Sequence, residues 1–427
     1  MARRSSYHRR IVDDELDRLM VGLPAISLEG AKGVGKTSTG SERAASIFRL
    51  DEEGPSSIVA ADPRRLASAR PPVLIDEWQH VPATWDVVRR AVDAGAAPGQ
   101  FLLTGSASPR GLATHSGAGR IVTLRMRPLS LVERLERPPT VSLAALLSGT
   151  HPGVDGATPV ALEDYTAEIL RSGFPGIRHL ANRAARSQLD SYLDRVVDRD
   201  FEEVGRSVRN PAALRRWMTA YAAATSTTAT WEKIRDAAAA GFATKPSRVT
   251  TQHYGDVLER LWLVDPVPGW APTRSALHRV TQAPKHQLAD PALAARLLGS
   301  TAESLLAGEA SGPAMPRDGN LLGALFESLV TLSVRVYAQA AEARVGHFRT
   351  KSGEHEVDLI AERADGRVVA MEVKLAASVN DGDVRHLHWL ADRIGDDLLD
   401  LVIITTGADA YRRKDGVAVV PAALLGP

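Results

Sequence analysis

The chain has 427 residues, room for two to four domains with cores of their own at roughly 150 residues per domain. It contains no cysteine, which excludes disulfides, thiolate nucleophiles, iron–sulfur clusters and cysteine-ligated zinc and fits a reducing, cytoplasmic setting. Its 52 basic and 51 acidic residues leave a net charge of +1, so any nucleic-acid-binding surface has to be local.

No apolar run is expected to reach the ~18–20 residues a bilayer span requires. The start, MARRSSYHRR, leads into the charged IVDDELDRLM without a signal-peptide core. The expectation is a soluble, unprocessed chain with no membrane partner. Two stretches rich in Pro, Gly, Ser and Thr, 137–160 and 300–319, read as linkers and cut the chain into three blocks.

In the first block, short apolar runs (PAISLEG, PVLIDE, QFLLTGS) alternate with helical patterns such as WDVVRRAVDAG. That is the rhythm of a parallel sheet with crossover helices, an α/β fold. Residues 30–37 read GAKGVGKT, a complete G-x-x-x-x-G-K-[ST] pattern directly after the strand-like PAISLE. Gly30, Gly33 and Gly35 let the backbone turn so that its N–H groups, with those of Ala31, Lys32, Val34 and Ser38, cradle phosphate at a helix N-terminus. Lys36 is expected to reach the β- and γ-phosphates of ATP, and Thr37 to take one position on Mg2+. Gly40 follows in the same helix, where a glycine costs ~1 kcal/mol against alanine, so a weak first turn is expected.

Residues 73–77 read VLIDE, an apolar strand that delivers two carboxylates at its C-terminal end, where ligand sites in such sheets lie. Asp76 is expected to hold the magnesium and Glu77 to orient the attacking water. The strand QFLLTGSAS ends in Thr104 and Ser106, small hydroxyls able to sense a γ-phosphate, or else a plain strand-end turn. Arg120, after a glycine-containing segment, is a candidate for supplying positive charge to the transition state in its own subunit or a neighbour's, with a solvated surface arginine as the alternative.

The middle block is mostly helical by period: LEDYTAEILRSG, ARSQLDSYLDRVVDRDFEEV and PAALRRWMTAYAAA carry apolar residues three and four apart. Within 230–264 a helix with Trp231, Ile234 and Ala238, a turn at Gly241 and a second helix, KPSRVTTQHYGDVLERLWLV, with Val249, Val257, Leu258 and Leu261 have helix-turn-helix spacing. Lys245, Arg248 and His253 fall early in the second helix, and Arg274, His278 and Arg279 on a following wing, positions suited to DNA; a lid or protein-contact module is the equal alternative.

With GAKGVGKT, VLIDEWQHVP, LTGSAS, SGAGR and RPLSLVE in order, then SGFPG, YLDRVVDRD, APKHQLADPAL, LLGALFESLV, RTKSGEHEVDLI and AMEVK, the chain resembles the prokaryotic AAA+-type predicted ATPases with a C-terminal domain of unknown function. The match spans nearly the whole length. The resemblance implies a P-loop ATPase core at 1–136, a helical domain at 161–225, a winged-helix-like domain at 226–299 and a restriction-endonuclease-like domain at 318–427.

In that last domain Asp358, Glu372 and Lys374 match D-x(13)-E-x-K of the PD-(D/E)xK nucleases, with Glu327 on the preceding helix. If Ala364-Asp365-Gly366 forms the turn, the strands pair so that residue numbers sum to 730 and Asp358 faces Glu372. Cross-strand neighbours lie ~4.5–5.5 Å apart, close enough to share one Mg2+ that Glu327 would complete, with Lys374 activating water. The bland alternative is a charged strand face in solvent.

The reading is an ATP- and Mg2+-dependent ATPase coupled to DNA binding or processing, with ATP, DNA and a second copy of the chain as partners. The alternative is a nucleotide-dependent regulatory or defence switch whose nuclease-like domain is catalytically silent and which acts through protein partners. An inert scaffold is disfavoured by the intact Lys36, Thr37, Asp76 and Glu77.

Overall fold

The computed structural model describes residues 7–106, 118–201, 210–241, 245–272, 282–307 and 320–427. The chain divides into two compact units: Met1–Arg127 with Arg195–Arg209 and Val257–Leu263, and Pro128–Asp194 with Asn210–Asp256 and Val264–Pro427. It is an α/β protein with a parallel-sheet core, a helical region and a C-terminal mixed sheet.

The first unit is built on five strands: β1 (Ala25–Glu29), β2 (Ser46–Arg49), β3 (Val73–Asp76), β4 (Phe101–Gly105) and β5 (Val122–Arg125). All pair in parallel in the order β2-β3-β4-β1-β5. Strands β3 and β4 are buried along their whole length, which is why they read as continuous apolar runs rather than alternating ones. Val73, Ile75, Phe101 and Leu103 pack with Val59, Leu66, Val88 and Trp78 in one cluster.

Because β4 is inserted between β1 and β3, the ends of all three strands meet on one edge. The helix Lys36–Ser41 rises from that edge. Its glycine has a packing reason: a Cβ on Gly40 would stand 2.8 Å from Cδ1 of Leu74 on β3. A glycine at this position lets the helix lie close against β3.

In the second unit, the segment 137–160 is folded rather than a loose linker. Strand β6 (Val141–Ser142) pairs in parallel with the C-terminal β13 (Leu425–Gly426), and Ala157 bridges Asp409. Three of the sequence motifs converge on one buried network. Arg134 from RPLSLVER donates to the backbone oxygens of Leu129 and Glu168 and meets the carboxylate of Asp290, from ADPAL, at 3.2 Å. The N–H of Gly173, from SGFPG, donates to the same Asp290 carboxylate.

The helix Asn320–Ala340 precedes a six-stranded sheet of β7 (Arg344–Arg349), β8 (Glu356–Glu362), β9 (Val368–Val373), β10 (Leu398–Thr405), β11 (Tyr411–Arg412) and β12 (Ala418–Pro421). Their order is β11-β12-β10-β9-β8-β7. Strands β7, β8 and β9 are antiparallel, and β10, reached through the helix Asp381–Ile394, runs parallel to β9. Contrary to the sequence expectation, one helical stretch, Leu321–Ala340, is long and apolar enough to cross a membrane; 67% of it is buried inside the fold, as suits a core helix.

Candidate active site

The carboxyl edge of the parallel sheet assembles most of the residues expected there. After β1, Gly33 and Gly35 adopt left-handed backbone angles (φ 82° and 106°) that only glycine takes without strain, while the side chains of Ala31 and Val34 are buried in the core. A Cβ at Gly30 would fall 2.1 Å from the backbone oxygen of Met126. Backbone rather than side chains therefore faces the hollow of the loop, and the exposed Ser38 lies one residue beyond Thr37.

Lys36 is buried and turned back onto the loop, donating from Nζ to the oxygens of Gly30 (2.8 Å) and Ala31 (3.0 Å). Burial pushes its ammonium down to about 8, and Glu77 and Asp76 pull it the other way. The three groups thus act on one another across one edge of the sheet.

Asp76 ends β3 and is buried beside β4. Its Oδ1 accepts from Thr37 Oγ1 at 2.8 Å and also from Thr104 Oγ1. Burial raises its carboxyl, and the two hydroxyl bonds counter this. Thr104 in turn accepts from the backbone N–H of Glu77 at 3.1 Å, so one hydroxyl of the central strand organises both carboxylates.

Glu77 leaves the strand with a left-handed backbone (φ 52°, ψ 51°) and opens a 3-10 turn, Trp78–His80. Strain of this kind gathers at functional sites. Its carboxylate accepts from Ser106 Oγ at 2.6 Å and from Gln79 Nε2.

Arg120 does not reach this edge. Strand β5 runs parallel to β1 with Val122 beside Ile26, so a residue preceding β5 lies at the opposite, amino edge of the sheet. There its Nε pairs with Asp93 at 2.7 Å, at the far end of the helix Ala83–Asp93. The direction of one strand thus corrects the expectation that Arg120 serves the site of its own subunit.

Two sets of contacts escaped sequence reasoning. Arg10, buried ahead of the first helix, donates to the backbone oxygens of Val34 in the phosphate loop and Arg127, both at 3.0 Å. Tyr7 bonds Thr39 of the following helix at 2.7 Å, and Asp13, which Tyr7 also contacts, pairs with Arg43 at 2.9 Å. Lys32 of the loop pairs at 2.8 Å with Asp200, the last residue of a π-helical turn, Val196–Asp200. The signal available was the cluster of charges in YHRR and DRVVDRD, which periodicity alone treats as solvated faces.

Of the expected helix-turn-helix, helices Trp231–Ala239 and Arg248–Arg260 are present, but Lys245 precedes the second helix instead of lying in it, and Val249 is exposed rather than on an apolar face. Lys245 pairs with Asp236 at 2.5 Å, and Arg248 lies 3.8 Å from Glu232, so carboxylates of the first helix answer both basic groups. Arg274, His278 and Arg279 lie outside the described residues.

At the C-terminal constellation the register is the one expected: Leu359 faces Met371 and Ile360 faces Ala370, each pair summing to 730. Gly366 takes the left-handed turn position (φ 88°). Asp358 Oδ2 accepts from the N–H of Val373 at 2.9 Å, and Lys374 pairs with Glu372 at 3.1 Å. The proposed metal shell is not assembled, however. Glu327 is bonded to Lys285 at 2.9 Å, and among the described residues no group of three His, Asp or Glu is placed to hold a metal ion. A lysine distant in sequence has entered the position expected for the cation.

Comparison with known proteins agrees with this layout. Residues 23–135 match the model of an AAA domain, 162–304 that of a domain of unknown function (DUF8612) and 322–425 that of a domain of unknown function (DUF4143). The uncharacterized proteins Rv2008c of Mycobacterium tuberculosis and Mb2031c of Mycobacterium bovis are each 27% identical over 423 residues, covering 97% of this chain and 83% of theirs. Among solved structures, the Walker-type ATPase PABY2304 of Pyrococcus abyssi matches at 16% identity and a TM-score of 0.41, over 69% of this chain and 97% of that one. The ORC2 protein of Aeropyrum pernix matches at 14% identity and a TM-score of 0.30, over 67% and 90%.

Proposed function

We propose that this AAA-type P-loop protein binds and hydrolyses ATP at the carboxyl edge of its parallel sheet. The observation that carries the reading is the convergence of Lys36, Thr37, Asp76, Glu77 and Thr104 on that edge, joined by the Thr37–Asp76 and Thr104–Asp76 hydrogen bonds. The phosphates would lie on the N–H groups of residues 30–38, and Lys36 would exchange the Gly30 and Ala31 oxygens for phosphate oxygen.

The donor set suits Mg2+. Its octahedral ligands lie ~2.0–2.1 Å from the metal, which puts adjacent oxygens about 2.9 Å apart, and the Thr37 and Asp76 oxygens stand at 2.8 Å. Bound there, the ion would neutralise charge on the β- and γ-phosphate oxygens. Glu77, released from Ser106 or Gln79, would orient the attacking water and accept its proton. Thr104 would keep the two carboxylates in register. ATP-dependent phosphate release that disappears in Lys36→Ala is the test; an unchanged rate would end the reading.

The coupling of this cycle to DNA is the finer proposal. It is supported by the two helices with helix-turn-helix spacing and by the resemblance of the C-terminal residues Asp358, Glu372 and Lys374 to the PD-(D/E)xK pattern. DNA should then stimulate turnover; no effect at any salt concentration would sink it. The acidic partners of Lys245 and Arg248 and the ammonium inside the nuclease-like cluster favour the second reading, a nucleotide-dependent switch with a catalytically silent C-terminal domain. Mg2+-dependent cleavage by the wild type that is lost in Asp358→Ala would eliminate it.

A further inference from the structure

Lys285, from the motif APKHQLADPAL, is 1% exposed and lies inside the second unit. Its Nζ stands 2.9 Å from Glu327 Oε1, 3.0 Å from Asp358 Oδ1 and 3.1 Å from Glu356 Oε1. An ammonium has three donors and no acceptor; here each donor has one carboxylate. The three acids come from a helix and one strand, whereas the lysine comes from a segment well outside that sheet.

The backbone sets where the ammonium sits. Lys285 exchanges both main-chain hydrogen bonds with Val267 at 2.9 Å, in a ribbon that a second bridge, Val264–Leu288, extends. Gly269 bridges His347 on the edge strand β7, and His347 Nε2 bonds the oxygen of Ala283 at 3.0 Å. A Cβ at Gly346 would meet Trp270 at 2.9 Å, so ribbon and strand are fitted at van der Waals contact.

A second observation points to a cation at this place. Glu372 is buried, and its Oε1 has no hydrogen-bond partner. Lys374 holds the other oxygen of Glu372, whose carboxyl group also lies within hydrogen-bond reach of Asp358. The cluster holds four carboxylates, Glu327, Glu356, Asp358 and Glu372, against three cations, Lys285, Lys374 and Arg349, the last 3.5 Å from Glu356.

We infer that Lys285 is the resident cation of the Glu327–Glu356–Asp358 cluster and that its ammonium keeps a divalent metal out of it. The nuclease-like constellation is then a locked site: complete in register, closed to metal by the chain itself. This inference rests on the nuclease-like reading only for the chemistry the open site would perform; the lock is a statement about cation occupancy and is tested without DNA.

The test is Mn2+ titration of the nucleotide-free full chain by calorimetry, in the wild type, Lys285→Ala, and Lys285→Ala with Asp358→Asn. The expected result is no Asp358-dependent Mn2+ site in the wild type, one in Lys285→Ala, and its loss in the double variant. Wild-type binding abolished by Asp358→Asn alone, or folded Lys285→Ala that gains no site, would overturn the inference. If Lys285→Ala does not fold, Lys285→Met is compared with Lys285→Met plus Asp358→Asn. Relief of carboxylate repulsion should restore folding in the double variant, and failure to do so counts against a counter-ion role. DNA cleavage by Lys285→Ala is scored separately, so a silent nuclease leaves the lock standing and a failed lock leaves the nuclease assay of the wild type unaffected.

Discussion

Thr37 and Asp76, 39 residues apart in the chain, place two oxygens 2.8 Å from each other, with Thr104 bonded to the same atom of Asp76. A glycine loop after one strand and an acid at the end of another meet because a third strand, β4, separates and aligns them.

Removing one of these oxygens should weaken metal use more than nucleotide binding. Thr37→Ala is expected to raise the Mg2+ concentration for half-maximal ATP turnover by roughly tenfold or more, since a hydrogen bond to a charged group is worth about 1.5–3 kcal/mol. Mg2+ titrations of phosphate release at saturating ATP measure it; an unchanged midpoint would remove Thr37 from the metal.

Glu77→Gln keeps the shape of the side chain and its contact with Ser106 while losing the charge. ATP affinity should stay near that of the wild type and turnover fall by roughly 10²–10⁴, the usual contribution of a general base. A parallel loss of affinity would assign Glu77 to binding instead.

The buried Lys36 ammonium titrates near 8 rather than at its ordinary 10.5. A triphosphate requires the charged form, so ATP affinity should be flat below about pH 8 and fall by up to tenfold per unit above it. Stability moves the opposite way: between about 8 and 10.5 the unfolded chain binds more protons at this position, so stability rises with pH there. Calorimetry with ATP from pH 7 to 9.5, with Lys36→Arg as the non-titrating control, checks the first slope, and thermal unfolding without nucleotide the second.

Gly40→Ala sets helix propensity against packing. Alanine gains about 1 kcal/mol in a helix, but its Cβ would press on Leu74 at 2.8 Å, and overpacking a core costs about 1–3 kcal/mol. Net destabilisation is expected, partly relieved by Leu74→Val; a rise in Tm for Gly40→Ala alone would show that the helix can shift.

Arg134 and Asp290 are both fully buried, and Gly173 N–H shares the carboxylate. Asp290→Ala strands a charged guanidinium, which should cost about 3–5 kcal/mol, read as a shift of the urea midpoint. A loss below about 1 kcal/mol would mean water replaces the acid.

Local pattern made much of this legible. GAKGVGKT and VLIDE each carry their chemistry within a few consecutive residues, and strands β8 and β9 joined by one short glycine turn set their own register to the residue. Contacts between distant segments were not legible. Arg120 follows a glycine segment as an arginine aimed at the nucleotide would, yet the parallel run of β5 carries it to the edge opposite its own phosphate loop. Arg10, Tyr7 and Asp200 sit in charged stretches whose burial no periodicity reveals.

What the residues alone determined is therefore chemistry that is local in the chain: a loop able to cradle phosphate, an acid pair at a strand end, an E-x-K strand opposite an aspartate. The tertiary structure decided which charges meet. An ammonium is placed by the backbone that carries it, and Lys285 reaches Asp358 through a ribbon in which it pairs with Val267 and which bridges the edge strand of the sheet that carries Asp358. Such pairings depend on strand order and direction, which side-chain patterns within a single segment do not encode.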